Sequence, residues 1–255
     1  MQPAIVEEKG FSYVETGGDG DCLLLLHGLF GALSNFEDLI NEFGEDYNIV
    51  VPILPIYTLS REEAGLVGLL RYVREFVELK NYSKIHLVGN SLGGHIAQLF
   101  ALERPDLIAS MTLTGSSGLF ESGMGDGYPR RGDYEYIKRK TGETFYDHEV
   151  ATKELVDEVF ETVNDRNKAM SILLTARSAL QHNLEDKIPT ITCPSLLIWG
   201  KQDTITPPFV AEKFHELLPN SELVLIDKCG HAAMMERPDE FNDVLSDFLM
   251  RHDRG

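Results

Sequence analysis

The sequence predicts an α/β protein that is built on an open, mostly parallel β-sheet with helices on both faces. Short apolar runs bounded by turn residues alternate with longer segments of helical periodicity, an alternation that is typical of parallel sheets. Most of the apolar runs are hydrophobic throughout, as expected of strands that are buried on both faces. The 255 residues, 43% of them hydrophobic, can bury a substantial core.

The predicted strands begin with Phe11–Thr16 and Cys22–Leu26. A turn of sequence GGDGD separates these two runs, so they are predicted to pair as a hairpin. The later strands are each bounded by turn residues, as expected where strands connect to helices. They are Tyr47–Ile53, Lys84–Gly89, Ser110–Gly115, Ser195–Gly200 and Glu222–Asp227.

Helices are predicted between these strands. Arg61–Lys80 carries apolar residues at helical spacing with charged residues between them. Ser91–Glu103 is a second helix, which Pro105 ends. A last amphipathic helix, Glu236–Met250, begins near Pro238.

Residues 118–188 interrupt the alternation of strands and helices. This segment contains no convincing strand, although adjacent elements of a compact domain are usually joined by about 2–6 residues. It begins with a loop-rich stretch and then shows helical patterns at Glu149–Val163 and Asn167–Leu180. We therefore expect a helical insertion that packs on a sheet domain formed by residues 1–117 and 189–255.

Composition and charge exclude several functions. The formal net charge of −18 argues against binding to nucleic acid or to an anionic membrane surface. The longest apolar runs are too short to cross a bilayer, and the acidic N-terminus does not match a signal peptide. Cys22, Cys193 and Cys229 are far apart and odd in number, so we expect reduced thiols, no metal site and a cytoplasmic protein.

The most informative motif is Gly89-Asn90-Ser91-Leu92-Gly93, which has the form G-x-S-x-G between a strand and a helix. In this context the serine lies on a tight, strained turn that projects its Oγ above the sheet edge. The N-terminus of the following helix offers N–H groups to a developing oxyanion. The motif predicts that Ser91 is a nucleophile.

A serine nucleophile needs a general base and an acid that orients the base. His231 follows the last predicted strand, and Asp203 follows the strand before it. The chain order Ser91, Asp203, His231 is the order in which this architecture carries its triad. Asp227, at the end of the last strand, is a competing acid.

With these motifs the chain resembles the alpha/beta-hydrolase superfamily over nearly its whole length. The resemblance implies an eight-stranded sheet, and it implies that residues 118–188 form a helical cap over the site. The segment LHGLFG, Leu26–Gly31, matches the loop that supplies an oxyanion-hole amide in the family. That amide belongs to Leu29, or alternatively to Phe30, and the amide of Leu92 completes the oxyanion hole.

The resemblance implies a serine hydrolase that cleaves a small carboxylic ester through an acyl-enzyme intermediate. It implies no cofactor, and it leaves the oligomeric state open. A serine at position 91 excludes haloalkane dehalogenases and epoxide hydrolases of this fold, which use an aspartate nucleophile. Because some members of the superfamily are receptors, a non-catalytic ligand-binding protein is an alternative.

A second alternative is a meta-cleavage product hydrolase, which breaks a carbon–carbon bond. The segments GNSLGG, TGSSGLF and CGHAAMMERPDEFN resemble this group. Asn90 and Asn35 match asparagines of these enzymes, and together with Phe30 they are predicted to contact the substrate.

Two departures count against carbon–carbon cleavage. The cap arginine that grips the dienoate carboxylate in these enzymes should fall near Val159, where the chain has no arginine. The tryptophan that usually follows their catalytic histidine is replaced by Ala232. Arg166 and Arg177 are the candidates to replace the missing cation. A cap cation that faces the pocket would favour this alternative.

Overall fold

The sheet of the computed structural model, which describes residues 4–31, 33–120 and 130–252, has eight strands. They lie in the order β1-β2-β4-β3-β5-β6-β7-β8. β3 to β8 are parallel to one another, whereas β1 and β2 are antiparallel to their neighbours. The mostly parallel eight-stranded sheet is thereby confirmed. The strands are β1 (Ile5–Glu8), β2 (Phe11–Glu15), β3 (Cys22–Leu26), β4 (Asn48–Pro52), β5 (Ile85–Asn90), β6 (Ile108–Thr114), β7 (Ser195–Gly200) and β8 (Ser221–Ile226).

The predicted hairpin between Phe11–Thr16 and Cys22–Leu26 is wrong. β2 pairs with β1 on one side and with β4 on the other, while β3 lies between β4 and β5. The hairpin partner of β2 is the exposed edge strand β1. Two of its four residues are acidic, so it does not form an apolar run in the sequence. β3 is buried on both faces, so its pattern is that of a central parallel strand rather than a hairpin arm.

The helices cover both faces of this sheet. The predicted segments Arg61–Lys80, Ser91–Glu103 and Glu236–Met250 correspond to α2, α3 and α9. Short 3₁₀ helices lie at Leu33–Phe36, Pro105–Leu107, His148–Val150 and Ile188–Thr190. The α-helices of the described residues are α1 (Glu37–Phe43), α2 (Leu66–Lys80), α3 (Leu92–Glu103), α4 (Tyr134–Gly142), α5 (Lys153–Asn164), α6 (Arg166–Gln181), α7 (Pro208–Leu217), α8 (Ala233–Glu236) and α9 (Pro238–His252).

Most of the core consists of two apolar layers that the sheet separates, and a smaller cluster lies within the insertion. Leu24 and Leu26 of β3 pack in the layer that contains α2, α3 and α7. Leu23 and Leu25 pack in the opposite layer, against α1 and α9. Each of these leucines is fully buried, which contributes about 2 kcal/mol per side chain to folding. This double burial explains why β3 is apolar at every position.

The described residues between β6 and β7 contain α4, α5 and α6 and no strand. Residues 121–129 of the predicted insertion lie outside the described residues. The base of the insertion is closed where Leu184 N donates to Gly118 O at 2.8 Å. Leu66 N of α2 donates to Ser178 Oγ of α6 at 3.1 Å, which ties the insertion to the sheet domain. That residues 118–188 act as a cap remains a prediction.

His95 of α3 also joins the insertion to the sheet domain. Its Nε2 donates to the carbonyl of His182, just after α6, at 2.9 Å. The ring is fully buried, and this burial lowers the pKa of His95 from 6.5 to about 4. His95 is therefore a neutral packing residue at the interface between α3 and α6.

We predict that His95 makes folding stability fall with acidification. Between pH 6.5 and about 4 the unfolded chain protonates this histidine while the folded protein does not. The free energy of unfolding therefore decreases as the pH falls through this window, by up to about 1.4 kcal/mol per pH unit. His95→Gln keeps a donor for the His182 carbonyl but does not titrate, so its stability should decline less steeply. Urea unfolding of both proteins across this pH range measures the effect, and equal slopes would contradict it.

Candidate active site

Ser91 lies at the sharp turn between β5 and α3. Its backbone has φ of 53° and ψ of −119°, a conformation that side-chain-bearing residues rarely adopt. Two backbone hydrogen bonds hold the turn: Ser91 N donates to Thr114 O at 3.1 Å, and Ser117 N donates to Ser91 O at 3.2 Å. These bonds hold the strained backbone of Ser91 against β6 and the segment that follows it.

The glycines that flank Ser91 allow three backbones to cross closely. A Cβ atom on Gly93 would lie 1.9 Å from the carbonyl oxygen of Leu26, at the end of β3. A Cβ atom on Gly89 would lie 2.5 Å from the Cα of Gly94 in α3. Both positions are sterically closed to any other residue unless the backbone moves, so the turn brings β3, β5 and α3 together beside Ser91.

His231 and Asp203 form a buried pair. The Nδ1 of His231 lies 2.9 Å from Asp203 Oδ2. The other carboxylate oxygen, Oδ1, accepts from Ile205 N at 2.8 Å and from Thr206 N at 3.0 Å. Thr206 Oγ1 donates to Oδ2 at 2.9 Å. These bonds fix the carboxylate, which in turn favours the tautomer of His231 that leaves Nε2 as a base.

The competing acid, Asp227, is not joined to the histidine. Its exposed carboxylate accepts from Gln202 Nε2 at 3.3 Å and lies 4.0 Å from Lys201 Nζ. The hydrogen bond from Gln202 lowers the pKa of Asp227. The structure therefore pairs His231 with Asp203 rather than with Asp227.

Ser91 and His231 line one cavity, together with Leu29 and Leu92. Among the described residues, His231 hydrogen-bonds through its ring to Asp203 and Thr206 but not to Ser91 Oγ. A nucleophile–base contact of this kind often tightens only in the complex with substrate.

The loop that carries His231 is also held by contacts other than the one with Asp203. His231 N donates to the carbonyl of Thr144, between α4 and α5, at 2.9 Å. Asn90 Nδ2 donates to His231 O at 3.3 Å and to Thr114 O at 3.0 Å. Gly230 N donates to a carboxylate oxygen of Glu236 at 2.6 Å. The loop is therefore anchored to the insertion, to the serine turn and to α8.

The predicted oxyanion-hole residues flank the serine. Gly28 packs on Ser91, since a Cβ atom at Gly28 would lie 3.2 Å from the serine Cβ. Within the described residues, the N–H groups of Leu29 and Leu92 donate no hydrogen bond. Both residues line the cavity, so their N–H groups can serve an oxyanion.

His27 carries its proton on Nδ1. Its Nε2 lies 3.1 Å from Leu54 N, which can only donate, so Nε2 must accept. The Nδ1–H then donates to Gly28 O at 2.9 Å. Burial lowers the pKa of His27, and the neutral ring keeps one donor and one acceptor in place.

The cavity has a volume of about 910 Å³ and lies between the sheet domain and the insertion. Phe30, Asn35 and Asn90, the predicted substrate contacts, all line it. Both hydrogen bonds from Asn90 Nδ2 go to backbone carbonyls, as described above. From the insertion the lining includes Tyr136, Lys140, Thr141, Phe145, Leu155, Val159, Leu173, Ala176, Arg177, Ala179 and Leu180.

Two cations of the insertion line the cavity. Lys140 forms an ion pair with Glu143 at 2.6 Å. Arg177 has no ion-pair or hydrogen-bond partner among the described residues. Arg166, the other candidate cation, does not line the cavity in the part of the chain that the structure describes.

Sequence reasoning missed Thr206 and Thr144. The turn at Asp203 had a sequence signal, because aspartate side chains in loops often accept from backbone N–H groups two residues on, but the hydroxyl contact from Thr206 had none. The contact from Thr144 is made by a backbone carbonyl and carries no side-chain signature.

The described residues contain no group of three or more His, Cys, Asp or Glu side chains that is arranged to hold a metal ion. None of the described helices has the length and apolar character that crossing a bilayer would require.

Comparison with known proteins identifies the family. The model of the alpha/beta hydrolase fold matches residues 21–238. The chain therefore belongs to the alpha/beta-hydrolase fold family, a family of hydrolases. MGS-MChE2, an alpha/beta hydrolase enzyme from the metagenome of sediments of the Mar Chica lagoon in Morocco, is 41% identical, with a TM-score of 0.81 and coverage of 98% of this chain and 99% of that chain.

Other similar proteins are named as a lipase or as hydrolases of oxo-dienoate compounds. A putative lipase from Acinetobacter baumannii AYE is 25% identical, with a TM-score of 0.86 and coverage of 99% of this chain and 92% of that chain. A 2-hydroxy-6-oxononadienedioate/2-hydroxy-6-oxononatrienedioate hydrolase of Comamonas testosteroni is 27% identical and aligns over 96% of this chain and 94% of its own length. A 2-hydroxy-6-oxo-6-phenylhexa-2,4-dienoate hydrolase of Burkholderia cepacia shows the same identity and coverage.

We predict that Gly93→Ala destabilises the protein by about 2 kcal/mol or more, because the added methyl group collides with the carbonyl of Leu26. Gly132→Ala is the matched control, since a Cβ atom there meets nothing within 4 Å. Urea unfolding of the two variants measures the difference. Equal stability of the two variants would contradict the close contact between Gly93 and the carbonyl of Leu26.

Proposed function

We propose that the protein is a serine hydrolase that cleaves a small carboxylic ester by two-step acyl transfer. The observation that carries this proposal is the meeting of a strained serine with a buried His–Asp pair at one cavity. Ser91 is the nucleophile, His231 the general base and Asp203 the residue that orients the base. The relatives support a hydrolase, and the ester bond is our inference from the site.

In the first step, Ser91 Oγ attacks the carbonyl carbon of the ester while His231 Nε2 takes the serine proton. The carbonyl oxygen becomes an oxyanion, which the N–H groups of Leu29 and Leu92 stabilise. Asp203 stabilises the imidazolium through its hydrogen bond to Nδ1 without taking the proton. When the tetrahedral intermediate collapses, the ester C–O bond breaks and His231 gives its proton to the departing alcohol.

In the second step, His231 takes a proton from water as the water oxygen attacks the acyl-enzyme carbonyl. The same N–H groups stabilise the second oxyanion. Breakage of the bond to Ser91 Oγ then releases the carboxylic acid and restores the serine proton from His231. Ser91, His231 and the two amides of these steps belong to residues that line the cavity, and Asp203 acts from behind His231.

Residues 118–188 serve as the cap in this proposal. Apolar side chains of the insertion, among them Val159, Leu173 and Leu180, line the cavity. An apolar wall favours an ester whose acyl or alcohol part is hydrophobic, because burial removes that part from water.

A second candidate is hydrolysis of a carbon–carbon bond in a vinylogous diketone acid. Arg177 supports it, because this cation of the insertion lines the cavity without a carboxylate partner in the described residues. In a substrate of this class, the carboxylate would pair with the guanidinium. Incubation with 2-hydroxy-6-oxo-6-phenylhexa-2,4-dienoate and chromatography of the benzoate product tests it. Release of benzoate faster than hydrolysis of esters would make it the leading function.

We predict that the wild type hydrolyses p-nitrophenyl acetate and that Ser91→Ala lowers kcat by at least about 10⁴-fold, because the nucleophile is lost. Release of p-nitrophenol measures the rate, and circular dichroism verifies that the variant is folded. A folded Ser91→Ala variant with the wild-type rate would refute the proposal, and so would a wild type without turnover on esters of any chain length.

The two aspartates give a matched pair of variants. Asp203→Asn should lower kcat by about 10⁴-fold, because the amide no longer holds the tautomer that leaves Nε2 of His231 as a base. Asp227→Asn should change kcat by less than about twofold, since this carboxylate is exposed and does not contact the histidine. Steady-state rates with one ester distinguish them. Equal losses, or a larger loss at position 227, would contradict the assignment of the acid.

A further inference from the structure

The loop after β4 holds the segment His27–Gly31 at two points. Leu54 N donates to His27 Nε2 at 3.1 Å. The hydroxyl of Tyr57 donates to Leu29 O at 2.5 Å. β3 and β4 are parallel neighbours, so the loops that follow them emerge side by side at one edge of the sheet.

The contact from Leu54 holds the ring of His27, and this ring in turn holds the peptide between Gly28 and Leu29. Gly28 O accepts from His27 Nδ1 at 2.9 Å and from Gly31 N at 3.0 Å. In a trans peptide the carbonyl and the following N–H point in opposite directions within one plane. Holding Gly28 O therefore restricts the direction of Leu29 N–H, although the peptide plane can still tilt about these bonds when the next peptide is free.

The second contact fixes the next peptide. Because the Tyr57 hydroxyl holds Leu29 O, the peptide between Leu29 and Phe30 cannot rotate freely. With the planes on both sides of its Cα held, Leu29 has neither backbone torsion free. Its N–H can therefore meet a developing oxyanion without reorganisation, and preorganisation of this kind supplies much of the electrostatic stabilisation in enzymes.

We propose that Tyr57 is a positioning residue for the oxyanion hole, acting through the carbonyl of Leu29. This inference rests on the proposed function, in which Leu29 N–H stabilises the oxyanion. Tyr57 is not among the described residues that line the cavity, so we expect it to act through Leu29 rather than by direct contact with the substrate. The ring is also set against the insertion, because Lys168 Nζ of α6 lies 5.7 Å from its centroid.

Tyr57→Phe isolates the hydroxyl, since it keeps the ring and its contact with Lys168. For an ester that the wild type hydrolyses, kcat should fall about tenfold, less than the 10²–10³-fold cost of losing an oxyanion donor outright. KM should stay within about twofold, because the uncharged carbonyl of the bound ester gains little from the N–H.

Tyr134→Phe is the matched control. Its hydroxyl donates to Asp157 Oδ1 at 2.6 Å, within the insertion, and does not contact the loop of Leu29. This variant also loses one partly buried tyrosine hydrogen bond, so it measures the general cost of such a loss. Its kcat should stay within about twofold of the wild-type value.

A second measurement does not depend on turnover. The ¹⁵N order parameter of Leu29 should be near the rigid value of about 0.85 in the wild type and should be measurably lower in Tyr57→Phe, where only the bonds to Gly28 O still restrict this peptide. An unchanged kcat or an unchanged order parameter would overturn the inference. A wild type without ester turnover would contradict the proposed function instead, and the order parameter alone would then decide whether Tyr57 positions Leu29.

Discussion

The close crossing of β3, β5 and α3 is the constraint on which the rest of the site depends. A Cβ atom at Gly93 would lie 1.9 Å from the Leu26 carbonyl oxygen, so this approach is possible only for glycine. The crossing lies directly beside Ser91, whose strained backbone is held in place by hydrogen bonds to Thr114 and Ser117. It also brings the N-terminus of α3 and the loop after β3 to the same side of the serine. Nucleophile and candidate oxyanion donors are therefore consequences of a single packing arrangement.

The insertion takes part in the site through backbone as well as side chains. The carbonyl of Thr144 accepts from His231 N, and Glu236 accepts both from Gly230 N and from Asp147 N. A shift of the segment that contains Thr144 and Asp147 would therefore move the histidine loop. In our account, the insertion that lines the substrate cavity is therefore connected by hydrogen bonds to the loop of the general base, His231.

Much of the fold was predictable from the sequence. Strands that are buried on both faces are apolar throughout, and amphipathic helices repeat their apolar residues with a period of 3.6 residues. The candidate triad residues were found because Ser91, Asp203 and His231 each follow a strand in the expected order. The edge strand β1 was missed because one exposed, partly acidic strand has no such pattern. The contact between Thr144 and the His231 loop could not be predicted from the sequence, nor could the contact between Tyr57 and the Leu29 loop. Each involves a backbone carbonyl that is distant in sequence from its partner, and each depends on how the loops pack.

Covalent labelling with a fluorophosphonate tests the central claim most directly, because this reagent phosphonylates an activated serine far faster than an ordinary one. The account predicts one adduct per chain, located at Ser91 by peptide mass mapping. Ser91→Ala should carry no adduct, and Asp203→Asn should be labelled more slowly than the wild type. An adduct on another residue, or no adduct on a folded wild-type protein, would contradict the account.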